Sequence, residues 1–248
     1  MQMVFDFPVH PRYGFDDFVV CGGNELAYRF ALMLAQDETH NLLYIYGPPG
    51  SGKTHLLAAL GNRLMACSDL PGAPGGVIPC ISFREIDQLY HGEYPAEQTS
   101  RLAERFQHAP ALLIDDLHLI PDNVNIRVEL WQIFNDFFNA GRKIVVTGLH
   151  HPRELPTLDG HLISRLLWGL VARMDVSDDD SRRLIMKKLA GDRQIWLPAD
   201  VIDYLLLRTR RDIPALMEAL ESLSRHALST GRKISLRLAR EVLEGRES

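Results

Sequence analysis

Apolar side chains at positions 26, 27, 30, 31 and 34 recur with the period of one helix face. They predict a helix from Glu25 to Ala35, just past the Gly22-Gly23-Asn24 break. The run Leu42-Leu43-Tyr44-Ile45-Tyr46 reads as a buried strand, and His55 to Leu60 as a helix. Pro71 to Gly76 is a surface loop by composition, Val77 to Phe83 a second strand, and residues 84–108 short helices broken at Gly92 and Pro95. Ala111-Leu-Leu-Ile is continuously apolar and ends in Asp115-Asp116, the pattern of a buried parallel strand whose C-terminal end meets a ligand. An amphipathic helix over 124–139 ends near Gly141, and Lys143 to Gly148 is a fourth strand. A short helix over 160–168 and a last strand from Val171 to Val176 complete this alternation.

Only helices follow. Asp178-Asp179-Asp180 precedes Ser181 and a helix to about residue 190, where the acids favour the helix dipole. Further helices are expected over 198–208, started by Pro198, over 212–229, capped by Asp212 with Pro214 in the first turn, and over 235–244, capped by Ser235. The predicted class is α/β, a parallel-sheet core over 13–176 followed by a small all-helical lid over 177–248, with residues 1–12 as a tail. In that tail Met3, Phe5 and Phe7 alternate before Pro8 and Pro11, as in an edge strand or an extended peptide that another protein captures.

Composition narrows the class. With 46% hydrophobic and 24% charged residues the chain is that of a globular protein. No apolar run approaches the roughly 20 residues of a membrane span, and no basic-then-apolar leader is apparent. Cys21, Cys67 and Cys80 share no zinc or redox spacing, which points to reduced thiols in a cytoplasmic protein. The ten histidines, including the His150-His151 doublet and His118, form no metal-binding pattern and read as structural or solvated. The net charge of −5 hides an asymmetry. Residues 1–180 carry 13 Lys/Arg against 23 Asp/Glu, whereas 181–248 carry 14 against 9, a basic surface for solvent, nucleic acid or an acidic partner.

The chemistry concentrates in Gly47-Pro48-Pro49-Gly50-Ser51-Gly52-Lys53-Thr54, a Walker A phosphate loop set between a predicted strand and a predicted helix. Backbone N–H groups and a helix N-terminus converge there on an anion. Lys53 is placed to reach the terminal phosphates and the Thr54 hydroxyl to ligate Mg²⁺. Asp115 and Asp116 then read as a Walker B pair, the first holding Mg²⁺ through water and the second polarising an attacking water. Thr147, at the polar tip of the fourth strand, is a candidate sensor of the γ-phosphate or its water, and the lead-in over 13–36 can lie over the base.

Gly52 to Leu57 with Ala59, Gly61 and Asn62 is similar to the phosphate loop and first helix of the DnaA-type replication initiators, a branch of the AAA+ ATPases. Phe15 to Val20 with Asn24 and Ala27 resembles that family's lead-in, Leu113 to Asp116 its Walker B motif, and Ser164-Arg165-Leu166 with Trp168-Gly169-Leu170 its arginine-finger motif. The resemblance implies an AAA+ core that binds ADP or ATP with Mg²⁺, with Phe18, Val19 and His55 joining the loop around the nucleotide. With no helix-turn-helix segment after the lid, the chain resembles the shorter Hda-type regulators, and sequence-specific binding of duplex DNA is not expected. In those relatives an N-terminal peptide docks on the polymerase sliding clamp, and Gln2, Met3, Phe5 and Phe7 fit it.

Two positions depart from the family. Pro214 stands where the lid of the family carries a phosphate-sensing arginine, and Leu149 where the fourth-strand motif usually has an acid. Arg210 and Arg211 are nearby but do not match that arginine in alignment, so weak intrinsic ATP hydrolysis is expected. The expected function is a regulator that supplies Arg165 in trans to the initiator DnaA, stimulating its ATP hydrolysis from the clamp, with self-association open. The rival readings are an autonomous ATPase such as a helicase loader, and an adaptor that binds proteins or single-stranded DNA through residues 84–108 or the basic lid.

Overall fold

The computed structural model describes residues 13–36, 39–66, 78–84, 86, 106, 109–155, 158–210 and 212–244. They fall into two compact units. The first comprises the chain to Phe18, Glu25–Pro48 and Gly52–Met174, and the second Val19–Asn24, Pro49–Ser51 and the chain from Asp175.

The first unit holds five strands, β1 (Leu42–Tyr46), β2 (Cys80–Ser82), β3 (Ala111–Asp115), β4 (Lys143–Gly148) and β5 (Leu170–Arg173). They form one parallel sheet in the order β2-β3-β4-β1-β5. Helices cover both faces, which is why the strands read as unbroken apolar runs. Because side chains alternate along a strand, Leu42, Tyr44, Leu112, Ile114, Ile144 and Val146 join one apolar cluster. That cluster includes Ile126, Leu130, Ile133, Phe134 and Phe137 of α3 (Val124–Asn139) and Leu162 and Leu166 of α4 (Gly160–Trp168). Leu43, Ile45, Leu113, Val145 and Ala172 join the other, with Ala27, Ala31 and Leu34 of α1 (Glu25–Gln36) and Leu56, Leu57 and Leu60 of α2 (Lys53–Ala66).

Two strands are shorter than their apolar runs. The second was expected over Val77 to Phe83, but pairing covers Cys80–Ser82, and Phe83 already turns into a helical segment. The last was expected to reach Val176. Met174 N–H still donates to Tyr46 O at 2.7 Å, but Asp175 N–H donates instead to Gly23 O at 2.8 Å, which leads the chain away from β1.

The second unit is built on α5 (Asp179–Asp192), α6 (Ala199–Arg208), α7 (Ile213–Thr230) and α8 (Leu236–Glu244), packed around Met186, Val201, Leu205, Leu216, Leu220, Leu223 and Leu238. Helix α5 starts two residues before Ser181 because Asp178 is its cap and accepts Ser181 N–H at 2.7 Å. Asp212 caps α7 by accepting Ala215 N–H at 2.8 Å, and Ser235 Oγ accepts Leu238 N–H at 3.4 Å at the start of α8. Gly231, at φ 65°, ends α7 in the left-handed conformation that glycine adopts without strain.

The segment Val19–Asn24 is closed by the buried Asn24 side chain, which accepts Cys21 N–H and donates to Val19 O, both at 2.9 Å. A Cβ on Gly23 would lie 1.6 Å from Asp175 O, whereas one on Gly22 would meet nothing within 4 Å. Gly23→Ala is therefore expected to cost about 1–3 kcal/mol in urea unfolding, because backbone rather than a mobile side chain must yield. Gly22→Ala is the control and should stay within about 0.5 kcal/mol.

Candidate functional site

The turn from β1 into α2 carries the phosphate loop. Gly50 and Gly52 have φ of 74° and 94°, which lets the backbone fold back before Lys53 opens the helix. Lys53 Nζ donates to Gly47 O at 2.7 Å and Pro48 O at 2.9 Å, so the lysine closes the loop on itself. Burial lowers the proton affinity of this amine, against the attraction of Asp116 and Asp115. Gly47 admits no side chain, since a Cβ there would lie 2.0 Å from Met174 O.

The acids at the end of β3 are fixed by two hydroxyls. Thr54 Oγ1 donates to Asp115 Oδ2 at 2.9 Å, and Thr147 Oγ1 donates to Asp115 Oδ1. Burial pushes the Asp115 carboxyl above the ordinary aspartate value, while those two bonds and the Lys53 charge pull it down and Asp116 adds to the rise. The same Thr147 oxygen accepts Asp116 N–H at 3.0 Å. Thr147 is fully buried, and its single proton is committed to Asp115. Asp116 lies just past the strand in the left-handed region, φ 54° and ψ 46°, and caps the short 3₁₀ turn Leu117–Leu119. Its Oδ2 accepts a charged hydrogen bond from Arg84 Nε at 2.9 Å, and its Oδ1 lies 3.9 Å from His118 Nδ1. Burial lowers the proton affinity of His118.

Phe18 and His55 meet edge to face with ring centroids 5.2 Å apart, and a Cβ on Gly52 would lie 3.4 Å from the Phe18 ring. Tyr13 O accepts from Asn62 Nδ2 at 2.9 Å and Gly14 O lies 3.3 Å from His55 Nε2, so the lead-in is tied along α2. Val19 belongs to the other unit, where its carbonyl serves the Asn24 turn.

These residues fit a nucleotide polyphosphate with a divalent cation. Ser51 Oγ is buried with no hydrogen-bond partner among the described residues, in a loop whose neighbours are glycines and prolines. Thr54 and Asp115 offer two hard oxygen donors within 2.9 Å of each other. Among the described residues there is no cluster of three or more His, Cys, Asp or Glu that could hold a metal alone. Phosphate and water oxygens would complete the coordination shell of a Mg²⁺ held by Thr54 and Asp115, which would supply charge neutralisation at the phosphates.

A second constellation surrounds Arg165 on α4, a helix capped by Asp159. Arg165 Nη1 donates to Asn135 Oδ1 of α3, and its guanidinium carbon lies 5.0 Å from the ring centroids of both Trp131 and Phe138. Phe138 in turn lies 6.1 Å from Trp168, which is 72% exposed. Among the described residues no carboxylate pairs with Arg165.

The structure thus brings Lys53, Thr54, Asp115, Asp116 and Thr147 together, and Phe18 with His55 and Gly52. Arg84 and Asn135 were not foreseen. Asn135 was the more legible, a polar residue at helical spacing between Trp131 and Phe138 on an aromatic stripe. Gln2, Met3, Phe5, Phe7, Arg211 and most of the 84–108 segment lie outside the described residues.

A family model for the bacterial DnaA ATPase domain matches residues 9–173, and one for the lid domain of Hda matches residues 178–243. The chain is 28% identical over 242 residues to the chromosomal replication initiator protein DnaA of Enterococcus faecalis, covering 97% of this chain and 53% of that protein. It therefore spans about half the length of the curated relatives it matches. Among solved structures it is similar to domain III of the Thermotoga maritima replication initiation protein DnaA, with a TM-score of 0.77 at 28% identity, covering 96% of this chain and 98% of that one. It is also similar to AMPPCP-bound DnaA from Aquifex aeolicus, with a TM-score of 0.70 at 26% identity, covering 88% and 67% of the two chains. The expected class, an AAA+ α/β core with a parallel sheet followed by an all-helical region, is what the chain has.

Removing the Thr147 hydroxyl leaves Asp115 one donor short and frees Asp116 N–H. Thr147→Val is expected to weaken Mg²⁺-dependent nucleotide binding by about tenfold or more, with affinity in EDTA little changed and Thr147→Ser close to the original. Titration of Mg²⁺ at fixed nucleotide reads this out. Equal losses with and without Mg²⁺ would instead place the hydroxyl on a phosphate.

Proposed function

The chain belongs to the bacterial DnaA ATPase domain family, and from that premise we propose that it is a nucleotide-binding regulator of replication initiation of the Hda type. It binds ADP or ATP with Mg²⁺ and presents Arg165 to the ATP site of the initiator DnaA, whose hydrolysis it stimulates. The observation that carries this reading is the company Arg165 keeps. A structural arginine at a helix surface ordinarily finds a carboxylate, whereas Arg165 has a neutral amide and two aromatic faces. Asn135 engages one N–H of the fork, the rings limit where the plane can swing, and no carboxylate among the described residues cancels the positive charge. An arginine delivered in trans to a γ-phosphate raises hydrolysis by roughly 10³ to 10⁵.

The protein's own residues support a holding role for its nucleotide. Lys53, the loop amides and Thr54 bind and orient phosphates, with Asp115 behind Thr54. Asp116 would have to polarise water, but its Oδ2 is occupied by Arg84, and Leu149 and Pro214 supply no charge. The tail residues Gln2, Met3, Phe5 and Phe7 would fix the protein on the sliding clamp, limiting stimulation to initiators near loaded clamps. The assembled Lys53, Thr54, Asp115 and Asp116 favour a second reading, an autonomous ATPase. It requires appreciable turnover by the isolated protein, abolished by Asp116→Asn.

The test is ATP hydrolysis by the initiator in the presence of DNA-loaded clamp. Arg165→Ala should reduce stimulation by about 10³-fold while clamp binding and nucleotide binding persist. Phe5→Ala with Phe7→Ala should abolish clamp capture and lower stimulation. Undiminished stimulation by Arg165→Ala refutes the role of Arg165.

A further inference from the structure

Arg84 lies two residues past the end of β2, in the helical segment that begins at Phe83. Ser82 stands opposite Asp115 in the β2–β3 register, so the chain leaves β2 beside the acids at the end of β3. Its Nε donates to Asp116 Oδ2 at 2.9 Å, yet its side chain is 61% exposed. Among the described residues it has no further partner. A guanidinium carries five N–H donors, and this pairing uses one of them.

Stability gives little reason for such a pair. The guanidinium sits largely in water, which screens the pair and limits what it adds to stability. The charge is nevertheless held on the acid pair at the end of β3, where Asp115 is bonded to Thr54 of the phosphate-loop helix. Lys53 is committed to the loop backbone through Gly47 O and Pro48 O, whereas Arg84 holds Asp116 through one N–H. In the lid unit, the groups nearest a Cβ at Gly50 are Pro214 and Ile213 at the first turn of α7, and neither carries a charge.

We propose that Arg84 is a ligand for the terminal phosphate of a nucleoside triphosphate, and that it shares its guanidinium between that phosphate and Asp116. The proposal rests on reading residues 47–54 as a nucleotide site. With a diphosphate, Arg84 stays on Asp116 and keeps the Oδ2 lone pairs from a water. With a triphosphate, the free NH₂ groups turn to the added dianionic phosphate, a planar fork on a matching set of oxygens. Arg84 thus lets the core distinguish the two nucleotides from the sheet side.

The experiment is equilibrium titration of the full chain with ADP and with AMPPCP, each with Mg²⁺, for the unaltered protein, Arg84→Ala and Arg84→Lys. Arg84→Ala should weaken AMPPCP by about 10-fold to 100-fold while ADP stays within about threefold, as expected for loss of a charged hydrogen bond. Arg84→Lys, a point charge without the fork, should recover part of that loss. Unchanged affinities, or equal weakening of both ligands, would overturn the proposal and leave Arg84 a support for the acids. Failure of the unaltered protein to bind either ligand would overturn the nucleotide reading with it. Arg165-dependent stimulation is scored separately, so the two failures are distinguishable.

Discussion

Asp115 is the buried charge around which the first unit is arranged. A carboxylate that is 3% exposed must be paid for by donors, and here two hydroxyls from different elements supply them, Thr54 from the phosphate-loop helix and Thr147 from β4. The strand order makes this possible. With β4 between β3 and β1, the end of β3 is separated by a single strand from the turn that leads into α2. Ile45 stands opposite Thr147 in the β1–β4 register, so the loop after Tyr46 and the hydroxyl of β4 emerge together. Any slip of one residue would turn Thr147 to the other face and leave Asp115 short of a partner.

That arrangement also explains the strain next door. Asp116 adopts a left-handed backbone that few non-glycine residues tolerate, and its N–H ends on Thr147. The turn carries the chain from a buried strand into a short 3₁₀ segment within one residue, and it brings the second carboxylate to Arg84 rather than into the core. The Thr147 oxygen thereby orders both acids at once, donating to one side chain and accepting from the next backbone.

Much of this was legible in the sequence because it is local. Side chains that cap their own helix, such as Asp212 and Ser235, act over three residues, and the Gly-rich loop declares its backbone through residue type alone. The strand cores were legible for a similar reason, since burial on both faces leaves an apolar run. Strand ends were less so. Met174 and Val176 are both buried, but they belong to different units, and hydropathy cannot distinguish burial in a sheet from burial against helices. Pairings across the fold were the least legible. Arg84 meets Asp116 from 32 positions away and Asn135 meets Arg165 from 30, and while the aromatic stripe around Asn135 marks its place, neither residue's type names the partner it meets.

The two arginines show how partner chemistry divides the work. Arg84 is paired with an acid, so an anion that draws it must compete with an existing charge, and the response is graded by the charge of that anion. Arg165 is paired with an amide and two rings, which orient it without neutralising it. Its desolvation cost is held down by its partial exposure, and its field remains available to whatever docks beside the exposed Trp168. Under the proposed function, one residue would sense which nucleotide the protein holds, and the other would act on a phosphate that another protein brings. Separate sites for the two proposed tasks would allow the bound nucleotide to set the state of the protein without being consumed in the same event.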